Sequence, residues 1–126
     1  MFRPLLVLAF AGALGTLARY ALTVLAEQFL RVSSAGAVTV VNALGCLIAG
    51  VLFAVLERFG PGGVEYQKYL FIGFLGAFTT FSAYSLEAGR LLEGGKLLGA
   101  ASHVVLQNGL GIAAVLLGLF LGQSLL

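Results

Sequence analysis

Within the stretch Gly73-Phe-Leu-Gly-Ala-Phe-Thr-Thr-Phe-Ser-Ala-Tyr84, adjacent threonines, a serine and the rings of Phe78, Phe81 and Tyr84 stand inside an otherwise apolar run. Hydroxyls and amides can replace part of an ion's hydration shell, and the positive rim of an aromatic ring can face an anion. A lipid-facing helix has no use for such a sequence. In hydrocarbon every backbone N–H and C=O needs a partner, so a Gly/Thr-rich interruption at membrane depth is tolerated only where protein or a polar cavity supplies one. Residues 73–84 therefore read as a broken helix lining a polar path.

Other polar residues in apolar surroundings extend this set. Arg19 shares a helical face with Gly12 and Gly15; its guanidinium either snorkels to the interface or pairs, or it draws anions into a vestibule. Asn42, on a face with Gly45 and Ala49, either bonds a neighbouring helix or offers its NH₂ to a passing ion. His103 and Gln107 continue into Gly111, Ala114, Gly118 and Gly122 at helical spacing. That face reads either as a Gly/Ala packing seam with polar residues near one interface, or as a helix packed at one end and lining a cavity at the other. Asn108, one step round, falls at the cavity margin or bonds across to another helix.

The chemistry this set excludes is as informative. Glu27, Glu57, Glu65, Glu87 and Glu93 all fall at tract ends or in loops, and proton-coupled exchangers commonly depend on a buried carboxylate relay. Neither the 57–66 link nor the 87–96 link has metal-ligand or nucleophile spacing, so an enzyme is not expected. The single Cys46 allows no disulfide within the chain and reads as a small apolar filler. One arginine, amide and hydroxyl donors, and ring edges remain, and these suit an anion.

The elements that must position these groups follow from composition. Of 126 residues 60% are hydrophobic and 10% charged, with a mean hydropathy of +1.07, which excludes an ordinary soluble domain. Apolar tracts cover roughly 4–26, 36–56, 67–86 and 97–122, each near the ~20 residues needed to cross a hydrocarbon core about 30 Å thick. The expectation is a single all-α membrane domain over 1–126 with four transmembrane helices, the third broken mid-membrane. The first tract runs through Arg19 and Tyr20 without a signal-peptide cleavage pattern and is kept as a helix. A net charge of +2 from so few groups gives no reason to expect nucleic acid. If the first terminus and the 57–66 loop share a side, Arg3, Arg58 and Lys68 there balance Arg31, Arg90 and Lys96 opposite. Loop Lys/Arg excess sets orientation, so a balanced chain has no strong instruction and both orientations are open to it.

The elements Gly12-x-x-Gly15-x-x-x-Arg19-Tyr20, Val41-Asn42-x-x-Gly45-x-x-x-x-Gly50 and Gly73-Phe-x-Gly76-x-x-Thr79-Thr80-Phe81-Ser82 together resemble the small fluoride channel family, also called Fluc or CrcB. The similarity is close over three tracts and loose over the fourth. It implies an antiparallel, dual-topology homodimer in a prokaryotic inner membrane, with two pores for passive fluoride export that relieves fluoride toxicity. It implies a structural Na⁺ held centrally at the dimer interface by the backbone carbonyls of Gly76 and Thr79. Phe81 and Tyr84 would supply ring edges, Asn42 an amide donor, Arg19 a vestibule charge, and Thr80 and Ser82 a hydroxyl track, with His103 and Gln107 towards the exit. The implied partners are fluoride, membrane lipid and a second copy of the chain. Two positions depart from the family pattern. Tyr84 stands where phenylalanine is usual, adding a hydroxyl that needs a partner and is available to the anion, and His103 and Gln107 stand where tyrosine and serine are usual. Alternatives of other classes are a small dual-topology multidrug or guanidinium exporter, which needs a glutamate inside its first helix, and a non-conducting structural subunit.

Overall fold

The computed structural model describes residues 2–125. The chain runs through α1 (Phe2–Phe29), α2 (Ser34–Glu57), α3 (Pro61–Gln67), a π-helical stretch (Lys68–Leu75), α4 (Gly76–Phe78), α5 (Phe81–Glu93) and α6 (Leu97–Ser124), with no strand among the described residues. Four spans are long and apolar enough to cross a membrane: α1, α2, the composite 61–93 and α6. The protein is an all-α membrane protein with a bent third span.

Local chemistry sets the ends. The Ser33 hydroxyl caps α2 by accepting from the Gly36 N–H at 3.2 Å. The Gly-Pro-Gly-Gly sequence, which reads as a loop, breaks the chain only at Gly60, where φ is +57°. Pro61 then starts α3, because a proline at the first helical position has no N–H to leave unpaired. The third span is consequently longer than its apolar tract.

The spans pack through close approaches. Where α2 crosses α6, a Cβ on Gly50 would meet the Val115 carbonyl and one on Gly118 the Leu47 carbonyl. Small residues at such crossings let backbones meet where no hydrophobic effect drives helices together. Gly122, near the end of this contact, is also buried. The enclosed core is small, centred on Val41, Leu75 and Phe78 with Ile48, Leu52 and Phe74 around them. Leu6, Phe10, Leu116 and Phe120 face outward, as lipid-facing residues do.

Candidate functional site

Two diverted N–H groups make the break in the third span. α4 ends as the Thr79 N–H and Oγ1 both reach the Leu75 carbonyl, each at 2.9 Å. Thr79 and Thr80 then take extended backbone, which suits β-branched residues. In a continuous helix the Thr80 N–H would close on the Gly76 carbonyl. Here it donates to Asn42 Oδ1 at 2.8 Å, while Asn42 Nδ2 donates to the Thr80 carbonyl at 3.1 Å. The Ala83 N–H, which would otherwise reach the Thr79 carbonyl, donates to Thr80 Oγ1 at 3.2 Å, so Thr80 caps α5. Asn42 is thus bonded across to another span through both its polar atoms, and this holds the break open. Thr79 fits against α2 because position 45 is glycine; a Cβ there would meet Thr79 Cγ2.

These diversions leave the Gly76 and Thr79 carbonyls without the N–H groups that an intact helix would bring. Free carbonyl oxygens of this kind are ligands that a hard cation accepts, so the residues fit a small cation held by backbone oxygen. Among the described residues no cluster of His, Cys, Asp and Glu could hold a metal by side chains.

Beside the break lies a cavity of about 440 Å³ lined by Asn42, Thr79, Thr80, Phe81, Tyr84, Gln107 and Asn108, with apolar residues of α2 and α6 closing the remainder. The Phe81 and Tyr84 rings are tilted at 59° with centroids 5.4 Å apart, and the His103 ring also packs on Tyr84 at 5.4 Å. The Tyr84 hydroxyl finds the partner it needs in Asn108, whose Nδ2 donates to it at 3.1 Å. His103 Nε2 and both amide atoms of Gln107 are buried without a protein partner. Unpaired groups of this kind cost about 1–3 kcal/mol each, so they call for a partner from outside the protomer, whether water, an ion or a second chain.

Not all candidate residues meet in this cavity. Arg19 lines a separate one of about 340 Å³ with Thr16, Tyr20, Thr23 and Val41, and Thr80 is the one candidate residue common to both linings. Ser82 lines neither cavity and reaches the site through a 3.2 Å contact between its hydroxyl and that of Thr80. His103 takes part only through Tyr84. Gly76 lies exposed on the protomer surface. The sequence offered no sign of the π-helical turns that precede the break, a rare conformation found mostly at functional sites, nor of the pairing between Asn42 and Thr80 across 38 positions.

Four membrane-crossing helices around a mostly apolar cavity with a few convergent polar groups at a mid-span break define a small polytopic membrane protein built around an intramembrane site. The family model described as "CrcB-like protein, Camphor Resistance (CrcB)" matches residues 6–119, and the chain belongs to this family. It is 40% identical over 116 residues, 92% of this chain and 93% of the relative, to the "Fluoride-specific ion channel FluC" of Desulforapulum autotrophicum. To the protein of that name in Nitrosococcus oceani it is 40% identical over 123 residues, 98% of both chains, and to that of Paracoccus denitrificans 38% over 125 residues.

Proposed function

We propose that this protein is a fluoride channel of a bacterial membrane, a multi-pass protein through which the anion leaves the cell passively. The supporting observation is the cavity at the break. Its polar lining consists of three amides, hydroxyls and aromatic rings with no carboxylate, in a chain similar over nearly its whole length to proteins named as fluoride-specific channels. A small anion moved into an apolar interior loses hydration worth tens of kcal/mol, so its path must return donors step by step. Asn42 Nδ2 has a second N–H beyond the one spent on Thr80, Thr80 lines the same cavity with the Ser82 hydroxyl joined to its own from outside, and the rings of Phe81 and Tyr84 border it. Conduction needs sites of this modest strength, favourable enough to admit the ion and weak enough to release it.

The conducting unit in this reading is an antiparallel homodimer with two pores. Phe81 is 79% exposed on the protomer although it borders the cavity, and a half-open groove becomes a pore only when a second wall closes it. The balanced loop charges make opposite insertion of the two copies accessible. In such a dimer the carbonyls of Gly76 and Thr79 would hold a structural Na⁺, whose positive charge would fix the breaks of the two copies against each other. The exporter alternative loses its footing because α1 carries no acid before Glu27.

The test is ion efflux from liposomes containing the purified protein, read with a fluoride electrode and with chloride efflux in parallel. Rapid fluoride loss with little chloride loss is the expected result; equal loss of both, or of neither, contradicts the reading. Accessibility labelling of a single cysteine placed in the link before Pro61 tests the arrangement. Labelling of every molecule from one side only contradicts dual insertion.

A further inference from the structure

The geometry points to a further pair of anion-binding donors in the 440 Å³ cavity, the Tyr84 hydroxyl and the Gln107 amide, with Asn108 as the positioning residue that aims the hydroxyl. This rests on the channel reading above. The assignment begins at Asn108, whose Nδ2 lies 2.8 Å from the Val104 carbonyl. A carbonyl only accepts, so the nitrogen end of the amide must face it and the orientation of Asn108 is fixed. The same Nδ2 lies 3.1 Å from Tyr84 Oη, with one N–H for each partner. Because Nδ2 only donates, Tyr84 Oη is obliged to accept. The phenolic proton stays uncommitted, and Tyr84 makes no other side-chain hydrogen bond among the described residues. The ring contacts both Phe81 and His103, with centroids 5.4 Å away in each case, so the side chain that carries the hydroxyl has packing partners on α5 and α6.

Gln107 is the complement. It neighbours Asn108 on α6 and lines the same cavity, yet its Nε2 and Oε1 are buried and unbonded. Asn108 spends both its N–H groups on the protein, and Gln107 spends neither. The ligand this pair suits is a small, hard anion able to accept from two directions.

The experiment measures fluoride efflux per folded protein, over a range of fluoride concentrations, for the native chain, Tyr84→Phe, Asn108→Leu and the double variant. Native flux tests the channel reading by itself, and its absence removes both that reading and this one. Given native flux, Tyr84→Phe is expected to lower it about tenfold and raise the half-saturating fluoride concentration, the loss of one hydrogen bond to a charged ligand. Asn108→Leu should lower flux when Tyr84 is present and have no further effect in Tyr84→Phe, the signature of one residue acting through another. Flux in Tyr84→Phe within twofold of native overturns the donor role of the hydroxyl. Equal, additive losses from Asn108→Leu in both backgrounds overturn the positioning role. Should Asn108→Leu fail to fold, Asn108→Ala serves instead, since it removes the donor that obliges the hydroxyl to accept and adds no charge that would itself repel the anion. Its flux should fall only where Tyr84 is present, and an equal fall in Tyr84→Phe is the overturning result. Gln107→Leu should lower flux independently of Asn108, and native flux in it removes Gln107 from the pair.

Discussion

Where α2 meets α6, the contact is made by backbones brought together at Gly50 and Gly118, and each helix satisfies its own hydrogen bonds. At Thr79 and Thr80 the third span gives up that self-sufficiency. The Thr80 and Ala83 N–H groups go to side-chain oxygens, and the Gly76 and Thr79 carbonyls lose their usual partners. The first region owes its stability to the absence of side chains, the second to one particular side chain, Asn42. Selection for function therefore has room to act only in the second, because polar groups there are held in place without being fully consumed. A membrane protein of this size can keep an open site only if the rest of its helix contacts are this tight.

Filling the seam between α2 and α6 is the most disruptive single change. In Gly50→Val the new Cβ falls against the Val115 carbonyl and 2.8 Å from the Leu119 N–H nitrogen, atoms that belong to a helix backbone and cannot rotate away. Destabilisation beyond about 3 kcal/mol is expected, at the upper end for overpacking, together with loss of monodisperse protein on gel filtration in detergent. Folded protein with native thermal stability would show that α2 and α6 can slide apart without cost.

Asn42→Asp strikes the break and leaves the seam alone. The carboxylate still accepts from the Thr80 N–H but has no hydrogen for the Thr80 carbonyl, and it presents negative charge to an anion path. Fluoride flux should fall at least about a hundredfold, while stability drops by about 1–3 kcal/mol for the carbonyl left unpaired. The fold survives because the seam is untouched. Flux and thermal melting on the same preparation check both halves, and native flux would detach Asn42 from conduction.

Phe81→Ile separates ring electrostatics from packing. Phe81 is 79% exposed in the protomer, so an aliphatic side chain of comparable bulk changes protomer stability by less than about 1 kcal/mol. The positive rim is lost, and flux per folded protein should drop roughly tenfold. A variant that instead loses stability while keeping its specific flux would assign Phe81 to packing.

How much of this was open to sequence reading depends on the range of the interaction. The four spans follow from hydropathy, and the break follows from Thr79-Thr80 after Gly73 and Gly76, since both signals are local. The path along α6 was half legible: the helical spacing of Gln107 and Gly118 puts them on one face, but only the fold shows that Gly118 is packed against α2 while Gln107 borders a cavity. A bond from Asn42 to a neighbouring helix was legible as one of two readings, but its partner was not, because an amide at membrane depth bonds whatever the fold brings near and Thr80 lies 38 positions away. The same holds for Asn108, whose choice of Tyr84 depends on how α5 returns along α6. The π-helical turns over Lys68–Leu75 leave no mark in an apolar sequence that would serve equally as α-helix.

Arg19 should give the smallest effect and the sharpest discrimination within the site. Arg19 lines only its own cavity, which shares Thr80 with the one lined by Asn42 and Gln107, so in the channel reading the guanidinium would stand apart from an anion at the break. Its influence on an anion is then through space, by raising the local concentration at the mouth of the path. Such an effect is screened by salt, with a Debye length of about 30 Å at 0.01 M and about 3 Å at 1 M. Arg19→Gln should lower fluoride flux a few-fold at low ionic strength, the scale of about 1 kcal/mol for a charge interaction through water, and leave it unchanged near 1 M of an impermeant salt. An interfacial anchor predicts otherwise: removing a snorkelling charge would alter insertion and stability to the same degree at every salt concentration. Initial efflux rates over an ionic-strength series, normalised to folded protein, decide between them, and a deficit in Arg19→Gln that persists undiminished at high salt would remove this residue from the anion's approach.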